Sequence, residues 1–379
     1  MLNYNTKALG IIFPNTYDAI IPELTNVRLM ASIPFASRYR LVDFMLSSMA
    51  GSDVTNISLL VNKNYFSLMD HLGSGREWDL VRKNGGLHLF PPNVERTSTV
   101  YTGRVSAIAG ILDYLRGQKE KYVVMADTNT VANFDFKAMI QAHIESGADV
   151  TCAYKEQEIP AGYINMRNEQ GFYYTYTVED GRIVEMKVNS KKEGVQNLGM
   201  NIFVVERELL IDLINTAFVR GLRYWERDVL MNQLDKLNVQ AYKFEGYVAR
   251  IAGVKSYFDE NMKLLDDANL DALFSGNSIN TKIRDDNPTR YIAGAKVVNT
   301  MAADGCIIEG EVENSVLFRG VKVGKGAKVK NCILMQDTVI EAGADVENLI
   351  TDKEVVVTAG HEVKGTDIYP MYIAKRHVV

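Results

Sequence analysis

The chain is short of the residues that most often announce chemistry. Its 379 residues include only three cysteines, Cys152, Cys306 and Cys332, far apart and each in an apolar, strand-like setting. They lack metal-site spacing and read as buried thiols in a reducing cytoplasm. The five histidines (His71, His88, His143, His361, His377) are scattered without zinc spacing and read as ordinary polar contacts. No apolar run approaches the roughly 20 residues that span a bilayer. The opening "MLNYNTKALG" lacks a basic region followed by an apolar core, so no secretory leader is expected and a cytoplasmic location is. A formal net charge of −5 disfavours nucleic acid and anionic membrane as partners. Glycine is missing where it would be most telling. Gly10 is the only glycine among the first 50 residues, and "IIFPNTYDAIIPELT" (11–25) has neither glycine, lysine nor arginine. Ala8 to Phe13 reads as a buried first strand. In an α/β protein the turn after that strand is where phosphates lie against glycine-rich backbone. This chain has the position without the chemistry.

What is present is ordinary globular protein: 47% hydrophobic and 23% charged residues, long enough for two or three domains. "NISLLV", "KYVVMAD" and "DVTCAYK" read as buried parallel strands, which carry apolar runs rather than alternation. Between them, "GRVSAIAGILDYLRGQ" puts Val105, Ile108, Ala109, Ile111, Leu112 and Leu115 on one helical face. "FDFKAMIQAHIESG" does likewise and stops at Gly147. "FYYTYTVEDGRIVEMKV" holds two alternating segments around Asp180-Gly181, a type I′ hairpin signal. The prediction is an α/β domain with a mixed, mainly parallel sheet over 1–255, and a helix and linker over 256–290.

The remainder, 291–379, repeats. "VENSVL", "VKNCIL" and "VENLIT" begin at Val312, Val329 and Val346, each 17 residues on, and Gly326-Ala327 and Gly343-Ala344 keep that interval. A helical-hairpin repeat needs over about 30 residues. The spacing fits one coil of a triangular parallel β-helix, with Asn314, Asn331 and Asn348 stacking into a ladder at a turn. It also accounts for "VKVGKGAKV" (321–329), whose glycines fall in the coil repeat with no helix following, so it is no phosphate loop.

An α/β domain followed by a left-handed β-helix resembles the sugar-nucleotide pyrophosphorylases. Local stretches narrow this to the ADP-glucose pyrophosphorylase family. "NVRLMASIPFASRYRLVDFMLSS" is similar to its "N-K-R-A-K-P-A-V…G-G-K-[FY]-R-[IL]-[IV]-D-F" segment, "YTGRVSAI" to "Y-R-G-T-A-D-A-V", "VVMADTNTV" to "[VI]-L-x-G-D-H-[IV]-Y", "NLGMNIFV" to "S-M-G-[IN]-Y-[VI]-F", and "SYFDENMKLL" to "S-Y-[WY]-x-A-N-[ML]-D-L". The resemblance spans essentially the whole chain. It implies a Rossmann-like, GT-A-like nucleotidyltransferase domain. The activity it implies makes ADP-glucose and pyrophosphate from ATP and glucose 1-phosphate, for glycogen synthesis.

The departures fall on the chemistry. The family's "G-G-x-G-[TS]-R" loop is replaced by Phe13, Pro14, Asn15 and Thr16; Pro14 removes an N–H donor and the side chains crowd phosphate. A family lysine aligns with Met30, the aspartate of "R-G-T-A-D-A" with Ser106, and the sugar-phosphate lysine with Asn189. Of the two aspartates that bridge Mg²⁺, one survives as Asp127 and the other aligns with Arg250, a cation that repels the metal. No catalytic residue and no metal site are therefore assigned. Gly103, Asp127 and Gly199 remain as vestigial substrate-binding positions, Asp127 also as a cap of the turn that follows it and Gly199 also as a strand start. This is the pattern of the family's D-type regulatory subunit. It implies pairing with a catalytic sister subunit that uses Mg²⁺, in a heterotetramer, with a homo-oligomer when alone; this chain requires no cofactor. Two alternatives stand beside it: an active nucleotidyltransferase with a rearranged site built on Asp127, and a sugar-phosphate sensor or scaffold without chemistry. Arg38 and Arg40 read as an exposed helix start salt-bridged to Asp43, or as an anionic effector site. Trp225 of "WERD" reads as packing on an amphipathic helix, and "IAKRHVV" as a strand with a basic turn, or as an effector site.

Overall fold

A computed structural model describes residues 7–92, 101, 103–160 and 173–379. The elements used below are strands β1 (Ala8–Phe13), β2 (Asn56–Leu60), β3 (Gly86–Phe90), β4 (Tyr122–Asp127), β5 (Val150–Glu158), β6 (Tyr174–Glu179), β7 (Arg182–Val188), β8 (Val195–Glu206) and β9 (Val239–Lys243). They form one mixed sheet in the order β3-β2-β1-β4-β8-β5-β9-β7-β6. The β3, β2, β1 and β4 pairings are parallel; β8 runs antiparallel to both β4 and β5. The first strand alternates faces as the pleat requires. Leu9, Ile11 and Phe13 join one core with Val123, Met125, Ile108 and Leu115. Ala8 and Ile12 join the other with Met45, Val124 and Phe134. The sheet is therefore covered on both faces, and the carboxyl ends of β1 and β4 open side by side, with Phe13 opposite Asp127.

The hairpin is present as β6 and β7, with Asp180 and Gly181 both at positive φ, as a type I′ turn needs. The predicted arm begins at Phe172, which lies outside the described residues. Two helical predictions are corrected. The segment from Gly103 splits into Arg104–Ala109 and Leu112–Arg116. The split falls at Gly110, where a Cβ would lie 2.9 Å from the Tyr101 hydroxyl. The single helix expected within the helix and linker of 256–290 is two, Val254–Lys263 and Asp267–Phe274, the second capped by Asp266.

From Arg290 the chain coils as a parallel β-helix. Val312, Val329, Val346 and Val363 form one stacked row, and Ile308, Val323, Ile340 and Val357 a second. The asparagine ladder is real and longer than the repeat suggests. Asn299 donates to Asn314 at 2.7 Å, Asn314 to Asn331 at 2.7 Å, Asn331 to Asn348 at 3.3 Å, and Asn348 to Asp367 at 3.0 Å. All four asparagines are left-handed, a conformation that asparagine tolerates better than most residues. Asn299 escapes the sequence pattern because its coil is 15 residues long, not 17.

The β-helix packs on the α/β domain through a third core. Tyr17, Ile21, Leu24, Met30 and Phe35 meet Val316, Phe318, Ile333, Met335 and Ile350. Within it Arg28 makes two bonds to Asp352, 2.7 and 2.8 Å, and Tyr372 donates to the same carboxylate at 2.9 Å. Both charged groups are buried. Removing one partner strands the other in a dry core. Arg28→Met is therefore expected to cost about 3–5 kcal/mol of unfolding free energy in denaturant titrations. Adding Asp352→Leu should recover most of that loss, and a neutral single variant would refute the clasp.

Candidate functional site

The open end of β1 and β4 is a cleft of about 470 Å³. Phe13, Asn15, Thr16, Tyr17, Asp18, Asn62, Lys63, Gly103, Arg104, Tyr174, Trp225 and Glu226 are among its lining residues. Its floor is an ionic clamp. Arg104, in the first helix turn after Gly103, reaches Asp127 through Nη2 and Glu226 through Nη1. Glu226 comes from a π-helical turn, Trp225–Leu230, and Asp127 from the end of β4. The other Asp127 oxygen accepts from Thr16 Oγ1 at 3.0 Å. The guanidinium lies over the Phe13 and Phe203 rings, 5.3 and 5.8 Å from their centroids. Burial is the largest influence and opposes its charge, but Asp127 together with Tyr17 and Tyr174 overcomes it and holds the guanidinium protonated.

The expected site positions fall in different places. Gly103 lines the cleft, and its Cα approaches the Arg223 carbonyl so closely that a Cβ would sit 2.3 Å from that oxygen. Asp127 lies beneath the cleft, 1% exposed, and binds Thr16 and Arg104 rather than capping the next turn. Gly199 lies outside the cleft lining, within β8. A Cβ there would meet the Tyr176 hydroxyl at 2.3 Å, so packing, not sugar contact, accounts for the glycine. Pro14 accepts from the Ala31 N–H through its carbonyl at 3.0 Å. Met30 is in the core under the β-helix. Ser106 turns back on its own helix start, donating to the Gly103 carbonyl at 2.9 Å. Asn189 closes the hairpin, its Oδ1 accepting from the Tyr173 N–H at 3.0 Å. Arg250 is buried, donates to the Gly199 carbonyl at 2.8 Å, and its charge bears on Asp127.

The Mg²⁺ that the fold implies does not fit these residues. One oxygen of Asp127 is engaged by Thr16 and the other by Arg104, and Arg250 adds a second cation. Among the described residues no three Asp, Glu, His or Cys side chains cluster as a metal site. Arg104 and Glu226 were missed in the sequence; Arg104 stands in the "YTGRVSAI" segment, but nothing local marks Glu226, 122 residues away, as its partner. Trp225 packs in the core as expected and also borders the cleft.

A second cavity, about 430 Å³, lies where the two domains meet. It gathers Arg38, Arg40, Lys282, Arg284, Arg319, Lys353 and Lys375 against Asp70 and Glu354. Arg40 is not salt-bridged to Asp43. Asp43 instead takes the His71 ring at 2.5 Å and the Arg40 backbone N–H at 2.9 Å, while the Arg40 guanidinium donates to Ser67. Burial, reinforced by Arg40 and Arg28, pulls Lys353 down to about 7. Burial, then Arg38 and Arg284, lowers Arg319. Crowded cations that depress one another are relieved by a bound anion, so this cavity suits a ligand with more than one negative charge.

Fold and cleft define a nucleotidyltransferase domain joined to a left-handed β-helix, and the comparisons agree. The nucleotidyl transferase family model matches residues 21–245, starting beyond the glycine-free turn, and a GlmU-like C-terminal hexapeptide model matches 282–369. The chain is 33% identical to the glycogen biosynthesis protein GlgD of Bacillus subtilis (strain 168), over 86% of this chain and 83% of that protein. Its identity to GlgD of Geobacillus stearothermophilus is 38%, over 86% and 83%. To the glucose-1-phosphate adenylyltransferase of Bacillus mycoides (strain KBAB4) it is 31%, over 85% of each. The chain belongs to the ADP-glucose pyrophosphorylase family, in which it is similar both to GlgD proteins and to adenylyltransferases.

At the cleft wall, Asp18 accepts from the Met30 N–H at 2.7 Å. Burial raises its carboxyl to about 7, against the pull of that bond and of Lys63. The folded state thus binds this proton more tightly than the unfolded chain, and stability falls as pH rises from about 4 to about 7. Asp18→Asn keeps an acceptor for Met30 and removes the charge. It is expected to raise the melting temperature by about 2–4 °C at pH values above that window. Below the window it should change nothing, as scanning calorimetry at the two extremes would show.

Proposed function

We propose that this chain is a regulatory, catalytically weak or silent subunit for ADP-glucose synthesis in glycogen formation, pairing with a catalytic sister that carries the Mg²⁺ chemistry. The observation that carries this is the cleft floor: Asp127 is held by Arg104 and Thr16, with Arg250 nearby, where the reaction needs a metal and phosphate cradle. Each lost electrostatic group in such a site typically costs about 3 kcal/mol, non-additively. The GlgD relatives, at 33% and 38% identity, exceed the 31% of the adenylyltransferase compared. A heterotetramer is the assembly that fits this role, with a homo-oligomer when the chain is alone. The chain itself requires no cofactor. Among the described residues no helix is long and apolar enough to cross a membrane; a cytoplasmic location fits the proposed role.

The domain-junction cavity favours a sensing role within the same reading. Its excess of cations over acidic side chains suits a phosphorylated effector, and the cavity borders both domains, so a bound anion would bias their relation.

The test is kinetic. The purified chain alone should form ADP-glucose from ATP, glucose 1-phosphate and Mg²⁺ at least about 10³-fold more slowly than the catalytic sister, the scale of losing more than one such group. Mixed with that sister, it should change the sister's kcat/KM or its response to phosphorylated metabolites. Arg319→Ala in the mixture should weaken that response without preventing pairing. Turnover by the lone chain that matches the sister and vanishes in Asp127→Ala would establish the rearranged-enzyme reading instead.

A further inference from the structure

We propose that Arg104 is a tethered replacement for the divalent cation of this fold, its guanidinium holding the carboxylate that a metal ion would take and leaving the cleft indifferent to divalent metals. A metal ion in such a site draws together oxygen ligands from separate elements. Arg104 performs that task with its two terminal nitrogens, joining Asp127 at the end of a central strand to Glu226 on a distant π-turn.

Three features of the surroundings suit a guanidinium and not a hydrated ion. The Phe13 and Phe203 rings flank it, offering π faces and no oxygen ligands, whereas Mg²⁺ keeps several waters. Thr16 donates to the remaining Asp127 oxygen, so both carboxylate oxygens already hold a partner and a metal would have to compete for them. The local charge already balances. Arg104 and Arg250 offset Asp127 and Glu226, so a divalent ion would leave two positive charges in excess in a buried site. Because the cation is covalently attached, it does not dissociate, and the cleft floor is held in one arrangement without ligand. This deepens the reading of the cleft as non-catalytic. It concerns the lone chain, so failure to influence a partner would leave it standing.

The test uses the full chain and Mn²⁺ as the probe, followed by electron paramagnetic resonance of free Mn²⁺ with and without ATP, and by melting temperature. Wild type should show no uptake that depends on Asp127, and no Mn²⁺-dependent change in melting temperature. Arg104→Gln leaves two carboxylates without their cation and should melt lower. Saturating Mn²⁺ should then return about 5 °C, the scale expected at about 100-fold excess over the dissociation constant. Adding Asp127→Asn should abolish that recovery. A folded Arg104→Gln that ignores Mn²⁺ overturns the proposal. So does wild-type Mn²⁺ or Mn²⁺–ATP uptake that Asp127→Asn removes. Should Arg104→Gln fail to fold, wild type against Asp127→Asn decides alone: Asp127-dependent uptake refutes, its absence supports.

Discussion

A guanidinium buried at the mouth of a sheet constrains everything near it. An unpaired charge there costs several kcal/mol, so Arg104 persists only with its partners in place. They come from four separate stretches: Phe13 and Thr16 around the first turn, Asp127 at the end of the central strand, Phe203 from the neighbouring strand, and Glu226 from the π-turn. The turn that lacks glycine is thus not simply degraded. Phe13 supplies an aromatic face, and Thr16 supplies the hydroxyl that completes the Asp127 carboxylate. Glycine would supply neither. The residues that crowd out a phosphate are the residues that hold the clamp.

The same stretch serves a second purpose further along. Past Thr16, Tyr17, Ile21, Leu24 and Met30 turn under the β-helix, and Arg28 closes on Asp352. A lysine at position 30 would have to carry its charge into that core. Methionine there adds apolar contact and leaves its N–H for Asp18. One segment therefore ties the cleft floor to the β-helix, with Thr16 on Asp127 at one end and Arg28 on Asp352 at the other. This is physical contiguity; a coupling between the two sites requires in addition that the segment have two arrangements.

Periodic features were legible in the sequence. The β-helix announced itself because identical small and apolar side chains must stack rung on rung, and the buried strands because both faces of the sheet are covered. Asn299 was lost only because its coil is two residues shorter. Single long-range pairings carry no such pattern. Nothing local to Arg104 or Glu226 marks either as the other's partner. The Asp43 carboxylate lies three residues after Arg40, yet the buried His71 ring, which burial favours in its neutral form, takes it while the Arg40 guanidinium turns to Ser67. The resemblance located Asp127 and Arg250 at one site. It could not show that a third residue, Arg104, had taken the cation's place.

Charge separates the two cavities. In the cleft, two arginines meet two carboxylates and the floor is near neutral. At the domain junction, seven lysines and arginines face two acidic side chains, in a chain whose net charge is −5. Coulomb attraction for a phosphorylated ligand follows uncompensated charge, not ancestral position. The fold has kept the sheet, because its two cores need β1 and β4, and has satisfied the charges at their open end internally. Cations outnumber carboxylates instead between the domains, where an anion would touch Arg38 and Arg40 on one side and Arg319 and Lys353 on the other. A ligand held there would contact both domains at once, which nothing bound in the cleft would do.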